Sequence, residues 1–445
     1  MKRLLCGALC ALLLLPLTGC HRHTPGPEAT CTTAQLCTEC GKELVAALGH
    51  EPDEPTCAHD QTCRRCGEIL APALPHTPEG QATCTTAQTC SVCGAVLIPA
   101  KGHSVDSATG LCTVCGRQVT EPGGTYIRPG KNDYVSDDTA ALVPETAASG
   151  HYSSDLASYY AGAVLICGDY GMEYFSCDPT GSDNYAAIVN DFAARYPDVN
   201  ITALLVPKCC AYETPADRDS VHDSIAGFIS ATYGKMDGRV KKADAMGLMD
   251  AHAGEYMFYR TDHHWTSLGA YYASAAYCAA NGITPLALES YESTVRTGVT
   301  GTLYMYGRND ANLKRNPDYT VCRYPQTGYS LRCYNGGWYN APAVNGSYRD
   351  YASVFISGDN PLTVIRTDKD TGRTLLIFKE SYGNAFVPYM IDYYDQVIVA
   401  DIRESGRMPA TAELMRTYGV TDVLFINNVQ AAMSLQDSLR TTALS

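Results

Sequence analysis

Long apolar runs are scarce in this 445-residue chain, and so is positive charge. No uninterrupted run of about 18 apolar residues occurs, so no membrane-spanning helix is expected. Lys and Arg total 33 against 47 Asp and Glu, a formal net charge of −14. A phosphate backbone calls for a basic surface, so no nucleic-acid partner is expected. The 45% hydrophobic fraction and 31 Tyr exclude a fully disordered chain, and the length allows roughly two or three domains. Cysteine is sparse only after residue 115, where seven of the 21 lie; the other 14 fall within residues 1–115. Such unequal placement argues against a single role for them.

The N-terminus begins Met1-Lys2-Arg3 and then runs apolar over residues 4–17. A basic start, a short apolar core and small residues after it form a secretory signal. The segment ends Leu17-Thr18-Gly19-Cys20, which resembles the bacterial lipobox. That resemblance implies removal of residues 1–19 and a lipid on Cys20, anchoring the chain to the outer face of a bacterial membrane; the alternative is a plain signal cut near Gly19.

Residues 20–116 hold a repeat of about 26 residues. His23 opens a unit with Cys31, Cys37 and Cys40; His50 one with Cys57, Cys63 and Cys66; His76 one with Cys84, Cys90 and Cys93. His103 opens a shortened unit with Cys112 and Cys115 only. Each C-x-x-C is followed by Gly (Gly41, Gly67, Gly94, Gly116), the form of a zinc knuckle. Three Cys and one His suit a tetrahedral structural Zn²⁺. Each His fits either its own unit or the preceding one, and the last unit must borrow a ligand. In an exported chain the thiols could instead form disulfides; three Cys per unit and the regular His fit that less well. The expected role is a stalk, with no catalytic cofactor.

Residues 117–150 are polar and turn-rich, as a linker is. From 151 to the end, apolar strands at 164–167, 201–206, 374–378, 397–400 and 423–426 alternate with helices at 185–196, 221–233, 382–394 and 410–418. This pattern predicts an α/β domain with a doubly wound parallel sheet. Residues 290–360, rich in Tyr, Gly, Asn and Thr, break the pattern and predict an antiparallel β insertion able to wall a cleft. Cys322 and Cys333 within it suit either a hairpin disulfide or two free buried thiols.

Two motifs carry chemistry. The first is Tyr259-Arg260-Thr261-Asp262-His263-His264-Trp265-Thr266-Ser267, on a loop entering a helix at 268–279 capped by Thr266 or Ser267. A carboxylate two residues before an imidazole can set its tautomer and stabilise the imidazolium. Asp262, His263 and His264 are also all metal-ligand types. The second is Lys379-Glu380-Ser381-Tyr382-Gly383-Asn384, where a strand ends in a Ser at the carboxyl edge of the sheet and a helix begins. Helix-start N–H groups there can stabilise an oxyanion; taken alone, Ser381 is equally a helix cap.

Asp262-His263-His264-Trp265 with its flanks, and Lys379 through Pro388, resemble the two signatures of the DHHW protein family over roughly 151–435. That family is similar to the alginate O-acetyltransferase-like branch of the SGNH hydrolases. The resemblance implies Ser381 as nucleophile, His264 as general base and Asp262 as its orienting carboxylate. Asn384 becomes an oxyanion candidate; Trp265 and Tyr382 shape the pocket, and Arg260 and Asn360 (in Gly358-Asp359-Asn360) are substrate-side candidates. Glu380 stands where the family pattern leads one to expect Asp, and the order Asp–His–Ser differs from ordinary SGNH hydrolases. The implied function is O-acetyl transfer to an extracellular or cell-wall polysaccharide, with a membrane-bound O-acyltransferase as acetyl source. A carbohydrate O-acetylesterase and a non-catalytic carbohydrate-binding surface adaptor are the alternatives.

Overall fold

The computed structural model describes residues 22–130, 138, 145, 157–213, 215, 217, 218 and 223–445. The signal segment, Cys20, most of 131–150 and the first residues of the helix expected at 221–233 lie outside the described residues. No described helix is long and apolar enough to cross a membrane. The described chain forms two compact units, one of residues 22–82 with 86–99, the other of 83–85 with 100–445.

The first unit is a series of small antiparallel sheets: Gln35–Leu36 with Glu43–Val45, Gln61–Thr62 with Ile69–Ala71, and the three-stranded Pro78–Glu79, Gln88–Cys90 and Val96–Ile98. Each is closed by a C-x-x-C-G turn. Gly41, Gly67 and Gly94 hold φ near +70°, and their N–H groups donate to the carbonyls of Cys37, Cys63 and Cys90 at 2.8–2.9 Å. A side chain is strained at that φ, which explains the recurring Gly. Its buried apolar residues are almost all cysteines, while Leu48, Ile69, Leu74, Val92 and Val96 are exposed. So little apolar burial cannot hold a fold of this size, which then needs a covalent or metal staple.

The second unit is built on a nine-stranded mixed sheet. In chain order its strands are β1 (Tyr126–Ile127), β2 (Asn200–Val206), β3 (Lys241–Lys242), β4 (Tyr329–Tyr334), β5 (Trp338–Asn340), β6 (Leu362–Thr367), β7 (Thr374–Lys379), β8 (Gln396–Asp401) and β9 (Asp422–Asn428). The spatial order is β3-β2-β9-β7-β8-β6-β4-β5, with β1 also on β4. Neighbours from β3 to β8 are parallel; β6, β4, β5 and β1 join antiparallel. The expected all-parallel sheet is therefore corrected to a mixed one. A parallel neighbour needs a crossover of a dozen or more residues, and the 335–337 turn between β4 and β5 is far too short for one.

The 164–167 run is likewise not in this sheet. Val164–Cys167 is the centre of an antiparallel three-stranded sheet with Ser158–Ala161 and Tyr170–Met172, because the Gly168-Asp169 turn permits only a hairpin. The 290–360 region is divided. Ser293–Val299 pairs with Asp318–Arg323 as a separate ribbon, while β4 and β5 extend the main sheet. Cys322 and Cys333 fall in these different sheets and are free, buried thiols, so the hairpin disulfide is excluded.

β7 and β9 are buried along their whole lengths and β2 at all but its first residue, which requires cover on both faces. Two helix groups supply it. Helix α1 (Pro179–Arg195) packs with α2 (Ile225–Gly234), and α3 (Ser267–Ala280) packs with α4 (Gly383–Met390). Thr266 is the N-cap of α3, accepting from the N–H groups of Leu268 and Gly269. The loop before α3 and the turn between β7 and α4 carry the two sequence motifs.

Candidate active site

β7 delivers Ser381 just past its carboxyl end, and the turn is fixed by Glu380. Glu380 Oε1 accepts from the backbone and side-chain N–H of Asn428 at 3.0 and 3.1 Å, and Oε2 from the Tyr382 N–H at 3.0 Å. The neighbouring strand β9 thus anchors the residue before the Ser.

The structure brings Ser381, His264 and Asp262 together. The Ser381 hydroxyl donates to His264 Nε2 at 2.7 Å, and His264 Nδ1–H donates to Asp262 Oδ1 at 2.6 Å. This places the proton on Nδ1 because the carboxylate can only accept. Asp262 Oδ1 also accepts the His264 backbone N–H at 3.0 Å, and Oδ2 accepts the Thr302 backbone N–H at 2.8 Å and hydroxyl at 3.1 Å. Asp262 and His264 are buried, and Ser381 is half-buried. Burial alone would raise the Asp262 pKa; the charge and hydrogen bond of His264 outweigh it and hold the carboxyl well below its usual range. Burial and the neighbouring His264 push His263 down to about 4.

Asp262, His263 and His264 also present donor atoms within 4.8 Å of one another. Both nitrogens of His264 are, however, engaged by Asp262 and Ser381, and His263 Nδ1 lies 2.5 Å from the Thr302 hydroxyl. The hydrogen-bonded arrangement thus favours proton relay over metal ligation.

Trp265 and Tyr382 join the two motifs. Trp265 Nε1 donates to the Tyr382 carbonyl at 2.9 Å, and the Tyr382 hydroxyl donates to the His263 carbonyl. Both are fully buried, so they lock the motifs together instead of walling a pocket. Arg260 faces Asp318, 3.8 Å from its Nε, and lies over the Tyr256 ring. Asn360 donates to the carbonyls of Ser357 and Gly358 and accepts from the Tyr339 hydroxyl. Asn384 donates to Asp359 Oδ1 at 2.9 Å, and Asp359 also meets the buried Lys379 ammonium at 3.1 Å. Asn384 thus ties the 357–360 loop to the Ser turn, Asn360 braces that loop, and Arg260 ties the loop before Asp262 to Asp318. The chain reaches Asp359 through Ile356 and Ser357, both at positive φ, an outlying backbone for a β-branched residue.

Four further contributors have no signal in the sequence. Tyr351 stacks on His264 with ring centroids 4.0 Å apart, and its hydroxyl donates to the Ser381 and Tyr382 carbonyls at 3.0 Å. Thr302 orients Asp262. Gly301 leaves room for it, since a Cβ there would lie 2.3 Å from Asp262. Asn428 anchors Glu380.

The cysteine repeats form a second set of clusters. Cys31, His50, Cys63 and Cys66 converge, as do Cys57, His76, Cys90 and Cys93, and Cys84, His103, Cys112 and Cys115. His23, Cys37 and Cys40 form a three-donor group. Each four-donor set combines the first Cys of one repeat with the His and C-x-x-C of the next. This is neither of the registers expected from sequence, and it supplies the ligand the last unit lacked. All these thiols are free. A tetrahedral Zn²⁺ with Zn–S about 2.3 Å and Zn–N about 2.0 Å sets S···S near 3.8 Å and S···N near 3.5 Å. The observed Sγ···Sγ separations are 3.6, 3.6 and 3.9 Å, and the Sγ···Nδ1 separations 3.4–3.5 Å. The residues therefore fit such an ion.

The family described as DHHW protein is matched over residues 132–400. A DHHW family protein from Eubacterium siraeum is similar at 28% identity and a TM-score of 0.60, covering 65% of this chain and 99% of that one. Bacillus cereus PatB1, solved with a sulfonyl adduct, shares the fold at 15% identity and a TM-score of 0.53, covering 63% of this chain and 99% of its own. No curated protein matches significantly.

Proposed function

The chain belongs to the DHHW protein family, and from that premise we propose that it is a Ser–His–Asp acyl-transfer enzyme, an O-acetyltransferase acting on an extracellular or cell-wall polysaccharide. The observation that carries this is the unbroken hydrogen-bond chain from Ser381 through His264 to Asp262. Ser381 Oγ attacks an acetyl carbonyl while His264 Nε2 takes its proton. Asp262 stabilises the imidazolium. Collapse of the tetrahedral adduct leaves acetyl-Ser381, and His264 returns the proton to the departing oxygen. A sugar hydroxyl, deprotonated by His264, then takes the acetyl group and restores the Ser; water in its place gives hydrolysis.

The family's similarity to the alginate O-acetyltransferase-like branch supports acetyl as the group carried. An exposed ring beside the Asp262-binding Thr302 supports a sugar acceptor: Tyr306 ends the short helix begun by Thr302. Aromatic faces of this kind stack on pyranose rings. On this proposal residues 1–19 are a lipoprotein signal, Cys20 is the acylated residue, and the Cys/His repeats are the stalk that leads from the outer face of the membrane. A membrane-bound O-acyltransferase is the proposed acetyl source.

Turnover of p-nitrophenyl acetate tests the nucleophile. Ser381→Ala is expected to lower kcat at least about a thousandfold, and peptide mass spectrometry of the wild type is expected to find acetyl on Ser381 after p-nitrophenyl acetate, or sulfonyl on Ser381 after a sulfonyl fluoride, from which the Ser displaces fluoride. Undiminished turnover in Ser381→Ala would overturn the proposal.

A further inference from the structure

The last Cys/His cluster differs from the others in its surroundings. Cys84, His103, Cys112 and Cys115 all fall within the compact unit that contains the α/β domain. His103 Nδ1 faces Cys115 Sγ at 3.4 Å, and its other nitrogen, Nε2, lies 3.1 Å from Asp368 Oδ1. The His103 and Asp368 side chains are 1% and 9% exposed. By contrast, His50 in an N-terminal repeat faces Glu68, a carboxylate of its own repeat that is 60% exposed, at 3.5 Å.

Asp368 follows β6 directly, so the main sheet supplies it. The Tyr126 hydroxyl donates to Asp368 Oδ2 at 2.5 Å, and Arg117 donates to the Asp368 carbonyl at 3.1 Å. Gly328 makes space for this contact. A Cβ there would lie 2.0 Å from the Tyr126 hydroxyl and 2.3 Å from Asp368 Oδ2. Further ties run from the same module. β1 pairs with β4, the Ser330 hydroxyl donates to the Val119 carbonyl at 3.1 Å, and Arg366 donates twice to Glu121.

We propose that Cys84, His103, Cys112 and Cys115 bind a Zn²⁺ ion that fastens the final repeat onto the α/β domain, with Asp368 as the carboxylate that orients the metal-bound imidazole. Three thiolates and His103 Nδ1 complete the tetrahedron, with the spacing already described. Metal on Nδ1 leaves the proton on Nε2, which lies 3.1 Å from Asp368 Oδ1; in the present ring orientation neither of these buried atoms has a hydrogen-bond partner among the described residues. A carboxylate in that position fixes the ring and raises its basicity as a ligand. The ion thereby contributes to the stability of the α/β domain, while ions in the preceding repeats do not. This holds whether or not Ser381 is a nucleophile.

The test uses the full chain purified with zinc. The only two Trp, Trp265 and Trp338, both lie in the α/β unit, so Trp fluorescence reports its melting alone. Cys63→Ser and Cys112→Ser are each expected to remove one zinc by metal analysis. Only Cys112→Ser is expected to lower the Trp-reported Tm, and a chelator is expected to lower it in the wild type but not further in that variant. Asp368→Asn, which retains all four ligands, is expected to bind zinc roughly tenfold to a hundredfold more weakly at one site. Wild-type chain free of zinc, an unchanged Tm in Cys112→Ser, or unaltered zinc affinity in Asp368→Asn would each overturn the proposal.

Discussion

His264 is prepared as a base by what touches each of its nitrogens. Asp262 takes the Nδ1 proton, so Nε2 carries the lone pair that receives the Ser381 proton. An amide at 262 must turn its N–H₂ toward either His264 or the Thr302 N–H, leaving one of them without an acceptor. Asp262→Asn is therefore expected to fold and to lose about 10³–10⁴ in kcat with KM little changed; kcat within tenfold of wild type would contradict this. The pair Asp262 and His264 was legible in the sequence because two-residue spacing on a helix-entry loop lets a carboxylate reach its imidazole. Thr302 and Tyr351 were not legible. They lie 40 and 87 residues further along the chain from Asp262 and His264, and neither residue type at such a distance carries a signal.

At the scale of elements, the site depends on three connections meeting: the loop before α3, the β7–α4 turn, and the segment after the Ser293–Val299 strand. Gly301 is where the third presses on the first. A methyl at Gly301 would stand 2.3 Å from Asp262 Cβ and Oδ2, closer than any real contact. Gly301→Ala is expected to displace Asp262 and reduce kcat at least about tenfold, while the far-ultraviolet circular dichroism stays that of the wild type. Wild-type kcat would show that the segment yields. The strands of the parallel half were legible from their continuous apolar runs, since β2, β7, β8 and β9 are buried on both faces. The 164–167 run shares that composition but is buried within a hairpin sheet, and composition does not distinguish the two. The repeats behave similarly. The C-x-x-C-G turns are local and visible, but each His and lone Cys could have joined either neighbour.

At the scale of the whole molecule, Asp392 shows how burial makes stability depend on pH. Burial pushes its carboxyl up to about 6, and neither carboxyl oxygen has a hydrogen-bond partner among the described residues. The folded state then holds the proton more tightly than the unfolded chain, whose Asp titrates near 3.9. The stability this provides is present below about pH 4 and lost as pH rises through about 6. Asp392→Asn is expected to gain up to about 2–3 kcal/mol over the wild type at pH 8 and nearly nothing at pH 4, measured by denaturant unfolding. An equal effect at both pH values would refute the titration argument. The sequence by itself determined the α/β class, the Asp-x-His and strand-end Ser, and the knuckle turns, because each depends on periodicity or on neighbours within a few residues. Only the tertiary structure decided the mixed sheet, the ligand sets that straddle repeats, the docking of His103 on Asp368 and the closure of Ser381 on His264. Those contacts join residues dozens to hundreds of positions apart, and their partners are chosen by packing and by the need to satisfy buried polar groups.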